Sequence, residues 1–403
     1  MNTFDYSEYY EKIAEELPNN CVVAELGSFL GYSSIHLAKS LIKRNKKFKI
    51  YLVDNLSFSL VNDYPIKVRR ETLLNNIKDY KDIFFIENNT DEASKLFEKH
   101  FFDFIYINAD YHYQSVRKDI VNWLPKLKKD GILAGYNFDR KINDMYSVKF
   151  AVEYHLPIHM IKTYPNSVWE FKNSISPIMT SVRHFKKVPK DYLIYIPYLN
   201  NIDLLIKSVY SQKEHFSRIV ILNQSKEKLE NLLPEEIAIY NVGYMHFTRM
   251  QNIAQRFAIY HDIKYLFFQH SDCYVTENVI DKMIELANNN KNWSVIFTKY
   301  DALCCFNVDV LIDIGSWDET FWWYVSDVDF YRRIEREKKY KILNFTECNN
   351  SIVHIGSQTL KNLKQDEIDE VNNNHNWAWN HYVHKWGNRP NEENKIIPYN
   401  GKP

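Results

Sequence analysis

Asp327 and Asp329 stand two residues apart after an aromatic run, Phe321-Trp322-Trp323-Tyr324, with Trp317-Asp318-Glu319 just before it. Carboxylates set against rings outline a sugar-sized pocket in which a carboxylate base takes the proton of an acceptor hydroxyl, an effect worth about 10²–10⁴ in rate. Asp in the first turn of a helix accounts for either residue alone, but not for the whole constellation. Upstream, the apolar run Tyr265–Gln269 leads through His270-Ser271 to Asp272. A carboxylate there can hold a divalent cation that neutralises a departing diphosphate.

A second set lies near the N-terminus. Glu25-Leu26-Gly27-Ser28-Phe29-Leu30-Gly31-Tyr32-Ser33-Ser34 follows an apolar run and opens a helical pattern. Small residues there permit a tight turn and close passage of backbone past a ligand, with helix amides pointing outward. Asp54, at the end of the next apolar run, is spaced to accept hydrogen bonds from ribose hydroxyls. Asp110 and His112 are candidate bases for a substrate hydroxyl. His246, His261, His375, His381 and His384 lack a zinc-ligand spacing and read as solvated or core histidines.

These residues need strand ends and helix starts to hold them. Residues 1–172 alternate between strands (Cys21 to Glu25, Lys49 to Val53, Ile83 to Glu87, Phe102 to Ile107, Gly131 to Gly135, Ser167 to Phe171) and helices, the pattern of a doubly wound parallel sheet. A stretch with Pro177 and Pro189 and no periodicity follows, and Tyr192 to Ile196 restarts an α/β rhythm through Arg218 to Leu222, Tyr265 to Gln269 and Val295 to Thr298. The predicted organisation is an α/β protein of two unrelated domains: residues 1–175 with a Rossmann-like sheet, a linker over 176–190, a second α/β domain over 191–390 and a tail over 391–403. With 51 basic against 51 acidic residues, no global field draws the chain to nucleic acid or an anionic membrane. No apolar run approaches the roughly 18–20 residues of a membrane span, no signal peptide is visible, and five cysteines without metal spacing suit a reducing compartment, so the expectation is a cytoplasmic protein, in the host cytoplasm if viral. A homo-oligomer is compatible with all of this.

The N-terminal stretch resembles class I S-adenosylmethionine-dependent methyltransferases of the branch acting on small molecules and sugars, through its E-x-G-S-x-x-G-x-S turn and the run Asp110-Tyr111-His112-Tyr113-Gln114-Ser115-Val116-Arg117-Lys118-Asp119 followed by Trp123-Leu124-Pro125, Gly131 and Gly135. The resemblance implies that Glu25, Gly27, Ser28 and Gly31 line the cofactor, that Asp54 holds its ribose and that Asn88 and Asn89 lie near its adenine. Asn108, Tyr136 and Asn137 stand where that branch carries magnesium-binding carboxylates.

Tyr192 to Gly387 resembles GT-A glycosyltransferases of the family 2 type. The likeness rests on the opening strand with Pro197, Arg249 to Asn252, Asp272 as the remaining carboxylate of a D-x-D motif, the G-x-x-D-E…D-x-D run, Ser351 to Ser357 with His354, and Lys385-Trp386-Gly387. It implies that Asp272 and His354 hold Mn²⁺ or Mg²⁺, that Asp327 is the general base with Asp329 beside it, and that the anomeric centre inverts. Pro197, Asn223, Arg249, Asn252, Trp317, Asp318 and Glu319 then become substrate-binding positions. His270, Asn223 and Ser326 occupy positions usually acidic in that family.

The resulting expectation is a bifunctional glycan-modifying enzyme. Its second domain transfers a sugar from a nucleotide-sugar donor to a saccharide or glycan acceptor, and its first methylates a sugar hydroxyl from S-adenosylmethionine. The alternatives are a glycosyltransferase with a silent methyltransferase-like scaffold, and a non-catalytic carbohydrate-binding protein.

Overall fold

The computed structural model describes residues 4–57, 65–141, 146–322, 325–356, 365–395 and 398–399. The chain divides into two compact units, Met1–Ser174 and Ile175–Pro403. In the first, strands β1 (Cys21–Leu26), β2 (Phe48–Val53), β3 (Ile83–Ile86), β4 (Phe102–Ile107), β5 (Leu127–Gly135), β6 (Ile161–Tyr164) and β7 (Val168–Lys172) form one sheet in the order β3-β2-β1-β4-β5-β7-β6. Helices α1 (Ser7–Glu16), α2 (Tyr32–Lys43), α3 (Ile66–Ile77), α4 (Thr90–Ser94), α5 (Tyr113–Trp123) and α6 (Ser147–His155) accompany it.

β1 (CVVAEL) and β4 (FDFIYI) each carry five buried residues out of six, the near-continuous apolar run that a strand covered on both faces needs. β1 pairs in parallel with β2 on one side and β4 on the other. Strand order therefore reverses at β1, and a crevice opens beyond the carboxyl ends of these strands. The sheet is not wholly parallel, as the sequence had suggested: β7 runs antiparallel to both β5 and β6. Asn166 and Ser167 both take positive φ, 61° and 64°, and return the chain between β6 and β7 without the long crossover a parallel pair requires.

The second unit holds an eight-stranded sheet in the order β16-β14-β15-β12-β9-β10-β11-β8 and a two-stranded one, β13-β17. Its strands are β8 (Thr180–Arg183), β9 (Tyr192–Tyr198), β10 (Ile219–Asn223), β11 (Ala238–Asn241), β12 (Tyr265–Gln269), β13 (Cys273–Val275), β14 (Trp293–Thr298), β15 (Tyr300–Asn307), β16 (Lys341–Asn344) and β17 (Ile352–His354). Its helices are α7 (Ile202–Tyr210), α8 (Phe247–Tyr260), α9 (Val279–Asn289), α10 (Val308–Ile314), α11 (Ser326–Glu337) and α12 (Gln365–Trp386). Alternation along the central strands divides the core in two. Leu193, Tyr195, Leu266 and Phe268 face a cluster with Met250, Ile253, Ala254 and Phe257 of α8, while Ile194, Ile196, Tyr265 and Phe267 face one with Leu205 and Val209 of α7 and Ile280 and Met283 of α9.

The segment 176–190, expected as a linker, contributes β8, which pairs antiparallel with β11. Arg183 anchors it, donating to the carbonyls of Glu230 at 2.6 Å and Leu233 at 3.3 Å. All five cysteines are buried and free. Among the described residues, no helix is long and apolar enough to cross a membrane.

One glycine is dictated by the fold. Gly27 has φ +84°, and a Cβ there would lie 2.3 Å from the carbonyl oxygen of Asn108 and 2.4 Å from Cα of Ala109, so the β1–α2 turn and the segment after β4 cross main chain on main chain. Gly243, at φ +69°, has nothing near an added methyl. Gly243→Ala should therefore lower the unfolding free energy by about 1–2 kcal/mol through left-handed strain alone, and Gly27→Ala by about 3 kcal/mol or more because backbone must also move. Denaturant titration of both variants checks this; equal losses would remove the crossing as a constraint.

Candidate functional site

In the first unit a cavity of about 600 Å³ opens at the strand-order reversal. Gly27, Asp54, Asn88, Asn89, Asp110 and Asp119 are among its lining residues. Asp54, at the end of β2, is held by two backbone amides: Phe29 N–H donates to Oδ2 and Leu56 N–H to Oδ1, both at 2.7 Å. Burial raises its pKa in spite of these bonds. Asn89 Oδ1 accepts from Asn55 Nδ2 at 2.5 Å, and Asn88 Oδ1 accepts from the Asn89 amide at 2.8 Å, which shapes the wall beyond β3.

Three residues expected to hold the cofactor are not among those lining this cavity. Glu25 is 1% exposed and accepts from the hydroxyls of Ser33, at 2.5 Å, and Ser34, so it ties the first turn of α2 to β1. Burial lifts its pKa to about 7 against the hydroxyl bonds that lower it, with Asp54 adding repulsion. Gly31, at φ +79°, packs where a Cβ would lie 2.8 Å from Leu73 Cδ1. Ser28 is buried, and its Oγ has no hydrogen-bond partner.

Asp110 and His112 form a carboxylate–imidazole pair, Oδ1 to Nδ1 at 2.6 Å, and Ser115 Oγ donates to the other oxygen at 2.6 Å. Burial would raise the Asp110 pKa, but the Ser115 and His112 bonds bring it below the usual value. Asp110 lines the cavity, whereas His112 is exposed and is not among the lining residues. Sequence reasoning missed Asp119, a lining residue only 2% exposed whose pKa burial pushes up to about 7. In sequence it follows Arg117-Lys118 within the run that carries the methyltransferase resemblance, and nothing in its type or spacing sets it apart.

In the second unit, backbone bonds bring the expected metal ligands together. Gln269 ends β12 fully buried, its side chain donating to Ser208 Oγ at 2.7 Å and to the Cys273 carbonyl at 3.1 Å, which fixes the following turn. β13 pairs with β17 so that Cys273 stands opposite His354, and the Ile355 amide donates to the Asp272 carbonyl. Asp272 Oδ1 thus lies 3.2 Å from His354 Nε2. His270, at the start of the same turn, completes a group of three donors within 4.8 Å of one another. Ligands about 2.0–2.2 Å from one central ion stand at comparable separations, so the donor set fits a divalent metal. Burial lowers the His270 pKa and favours the neutral imidazole that a metal requires.

Asp301, which the sequence reading did not select, joins this cluster to Asp327. It lies 3.8 Å from His270 Nε2, and its charge adds to burial in raising the Asp327 pKa. Asp327 is half-buried at the start of α11, after Val325 with φ 68°, a left-handed conformation costing a β-branched residue about 1–3 kcal/mol. Of the aromatic run beside it, Trp323 and Tyr324 lie outside the described residues, while Trp322 is 36% exposed and stacks on His246 at 4.8 Å.

The remaining expected substrate positions serve as framework. Asp329 is fully buried, bonded by Trp386 Nε1 at 2.7 Å and flanked by Lys385 Nζ at 2.8 Å and Arg333 Nε at 3.3 Å, so it has a structural setting instead of the expected catalytic one. Lys385 also reaches Asp318 at 2.7 Å; burial alone would raise the Asp318 pKa, but the ammonium holds it far below the carboxylate range. Glu319 accepts from Arg249 Nε at 3.0 Å and Asn252 Nδ2 at 2.9 Å, and Asn252 Oδ1 accepts from the Trp317 amide. Trp317 stacks on Phe330, centroids 4.3 Å apart, inside the core. Asn223 spends its amide on Glu227, Asn241 and Ser225. Pro197 pairs with Leu222 of β10 but lies beyond the register of β9 with β12, where its missing N–H costs nothing.

Two outcomes follow. Removing Asp329 takes a buried carboxylate away from both Lys385 and Arg333, so Asp329→Ala should cost about 3–5 kcal/mol, whereas Asp327→Ala should change stability by less than about 1 kcal/mol; similar losses in urea unfolding would contradict the division. For Glu25, the folded pKa of about 7 lies above the roughly 4.3 of a free glutamate. The protonated form is favoured by folding, so its contribution is complete below about pH 4 and is lost as pH rises through about 7. Glu25→Gln should gain stability on the wild type between about pH 5 and 8, and parallel curves would remove the burial penalty.

No curated protein matches the sequence. Among solved structures, a Galdieria sulphuraria protein described as a sarcosine dimethylglycine methyltransferase aligns at 16% identity and TM-score 0.25, over 32% of this chain and 45% of its own, so less than half of that protein's length is spanned. A Corynebacterium glutamicum protein aligns at 10% identity and TM-score 0.34, over 44% of this chain and 83% of its own. A Staphylococcus aureus protein described as a caffeoyl-CoA O-methyltransferase aligns at 16% identity and TM-score 0.33, over 43% and 84%. Residues 24–137, which run from within β1 through β5 and include the residues lining the cavity, match the family of methyltransferase domains.

Proposed function

We propose that the chain is a bifunctional transferase: its first unit methylates a hydroxyl, on a sugar or glycan, from S-adenosylmethionine, and its second transfers a sugar from a nucleotide-sugar donor with a divalent metal. The observation that carries the methyltransferase half is the coincidence of the 600 Å³ cavity with the segment matched to that family. S-adenosylmethionine, when bound, supplies an electrophilic methyl group. Gly27 leaves its backbone open to the ligand, Asp54 offers acceptors to ribose hydroxyls, and Asn88 and Asn89 offer amides to the adenine. Asp110, orienting His112, provides a base for the proton of the methylated hydroxyl.

For the second half, the reading is supported by the convergence of His270, Asp272 and His354, with Asp301 connecting them electrostatically to Asp327. Asp272 and His354 would hold the ion, which supplies charge neutralisation at the diphosphate. Asp327, with its raised pKa, would take the acceptor hydroxyl proton as the oxygen forms its bond to the anomeric carbon and the bond to the diphosphate breaks, the electron pair leaving with phosphate. Inversion follows from in-line attack.

Calorimetric titration with S-adenosylmethionine should give one site in the first unit, weakened at least about tenfold by Asp54→Ala; absence of heat would favour the silent scaffold. Asp327→Asn should abolish sugar transfer, assayed over a panel of nucleotide sugars with manganese, while leaving donor binding nearly intact. Retained turnover would remove Asp327 as the base.

A further inference from the structure

The turn after β12 carries one donor more than the metal pair expected from sequence. His270 Nε2 is buried and makes no hydrogen bond. A buried polar nitrogen without a hydrogen bond is destabilising, which ligation would offset. Its ring stands 5.0 Å from that of His354, centroid to centroid, and both offer a nitrogen to the point that Asp272 faces. The main chain holds all three in place: the His270 amide donates to the Ala302 carbonyl, Cys273 N–H to the His270 carbonyl, and Ile355 N–H to the Asp272 carbonyl.

We infer that His270 is a third metal ligand and that the His270–Asp272–His354 site takes a transition-metal dication in preference to magnesium. The donor chemistry decides this. Magnesium demands oxygen ligands in near-ideal octahedral geometry and gives up its waters reluctantly. Two imidazoles and one carboxylate suit borderline ions, whose affinities rise from manganese through cobalt, with zinc near the top. Three protein ligands also leave a coordination position open, as catalytic zinc sites do, and a diphosphate oxygen fits that vacancy chemically. The inference deepens the metal-dependent reading of this unit and rests on it, but metal binding is measured without a nucleotide, so the two fail separately.

The test uses the full chain stripped with chelator and titrated calorimetrically with ZnCl₂, CoCl₂, MnCl₂ and MgCl₂, each alone. The expected result is one equivalent bound, zinc and cobalt tighter than manganese, and magnesium at least about a hundredfold weaker than zinc. His270→Ala should weaken zinc binding at least about tenfold with an unchanged metal-free melting temperature, and His270→Asp should narrow the zinc-to-magnesium ratio by about tenfold or more. In the cobalt form, the visible d–d bands should shift between wild type and His270→Asp. Unchanged zinc affinity in His270→Ala, magnesium binding as tight as zinc, or no bound metal would overturn the inference. A His270-dependent metal site that does not strengthen nucleotide-sugar binding would leave it standing and sink the transfer reading instead.

Discussion

Every backbone amide and carbonyl that leaves a sheet must find another partner, and both candidate sites are consequences of how that demand is met at strand ends. In the first unit the Gly27 amide donates to the Val53 carbonyl, the Asn108 amide to the Leu26 carbonyl, and the Asp54 carboxylate accepts the Phe29 and Leu56 amides. These bonds draw the ends of β1, β2 and β4 into one rim. In the second unit the His270 and Ile355 amides find the Ala302 and Asp272 carbonyls, and the same bonds carry three metal-type donors to one point.

The cost of that arrangement is met by residues that look chemical in sequence and act mechanically in space. Glu25 holds α2 against β1, and Glu319 binds the start of α8 to the segment before α11 through Arg249 and Asn252. Asp318 and Asp329 share Lys385, which joins α12 to α11 and the loop ahead of it. Buried, charge-assisted donors hold each of these carboxylates in a fixed place, so its negative charge contributes rigidity. Asp327 and Asp301 differ from these. They lack such partners among the described contacts, and their charge acts on neighbours, as the raised Asp327 pKa records.

The two units thus place their chemistry by a common logic with different materials. Where the first leaves a crevice between parallel strands whose order reverses, the second uses a two-stranded ribbon, β13 with β17, to deliver His354 from about eighty residues downstream onto the end of the central strand β12. The antiparallel insertions, β15 between β12 and β14 and β7 beside β5, widen the sheets without a crossover.

The sequence by itself determined the elements whose side chains must be buried on both faces. Apolar runs such as Phe102–Ile107 and Tyr265–Gln269 appear as strands with the residues expected, because burial constrains every position in them. The glycine turn and Asp54 were also legible, since strand ends and local spacing announce them, whereas the pairing of Asp272 with His354 was implied only by the resemblance to GT-A glycosyltransferases. Short, partly exposed strands such as β8 and β16 were not legible, because they owe their form to a partner strand instead of to their own pattern. Tertiary structure alone decided which acid is free and which is consumed: Lys385 lies 67 residues from Asp318, and Trp386 lies 57 from Asp329. It also decided that His270 stands with Asp272 and His354, because the distance between donors depends on a strand pairing that no local spacing encodes.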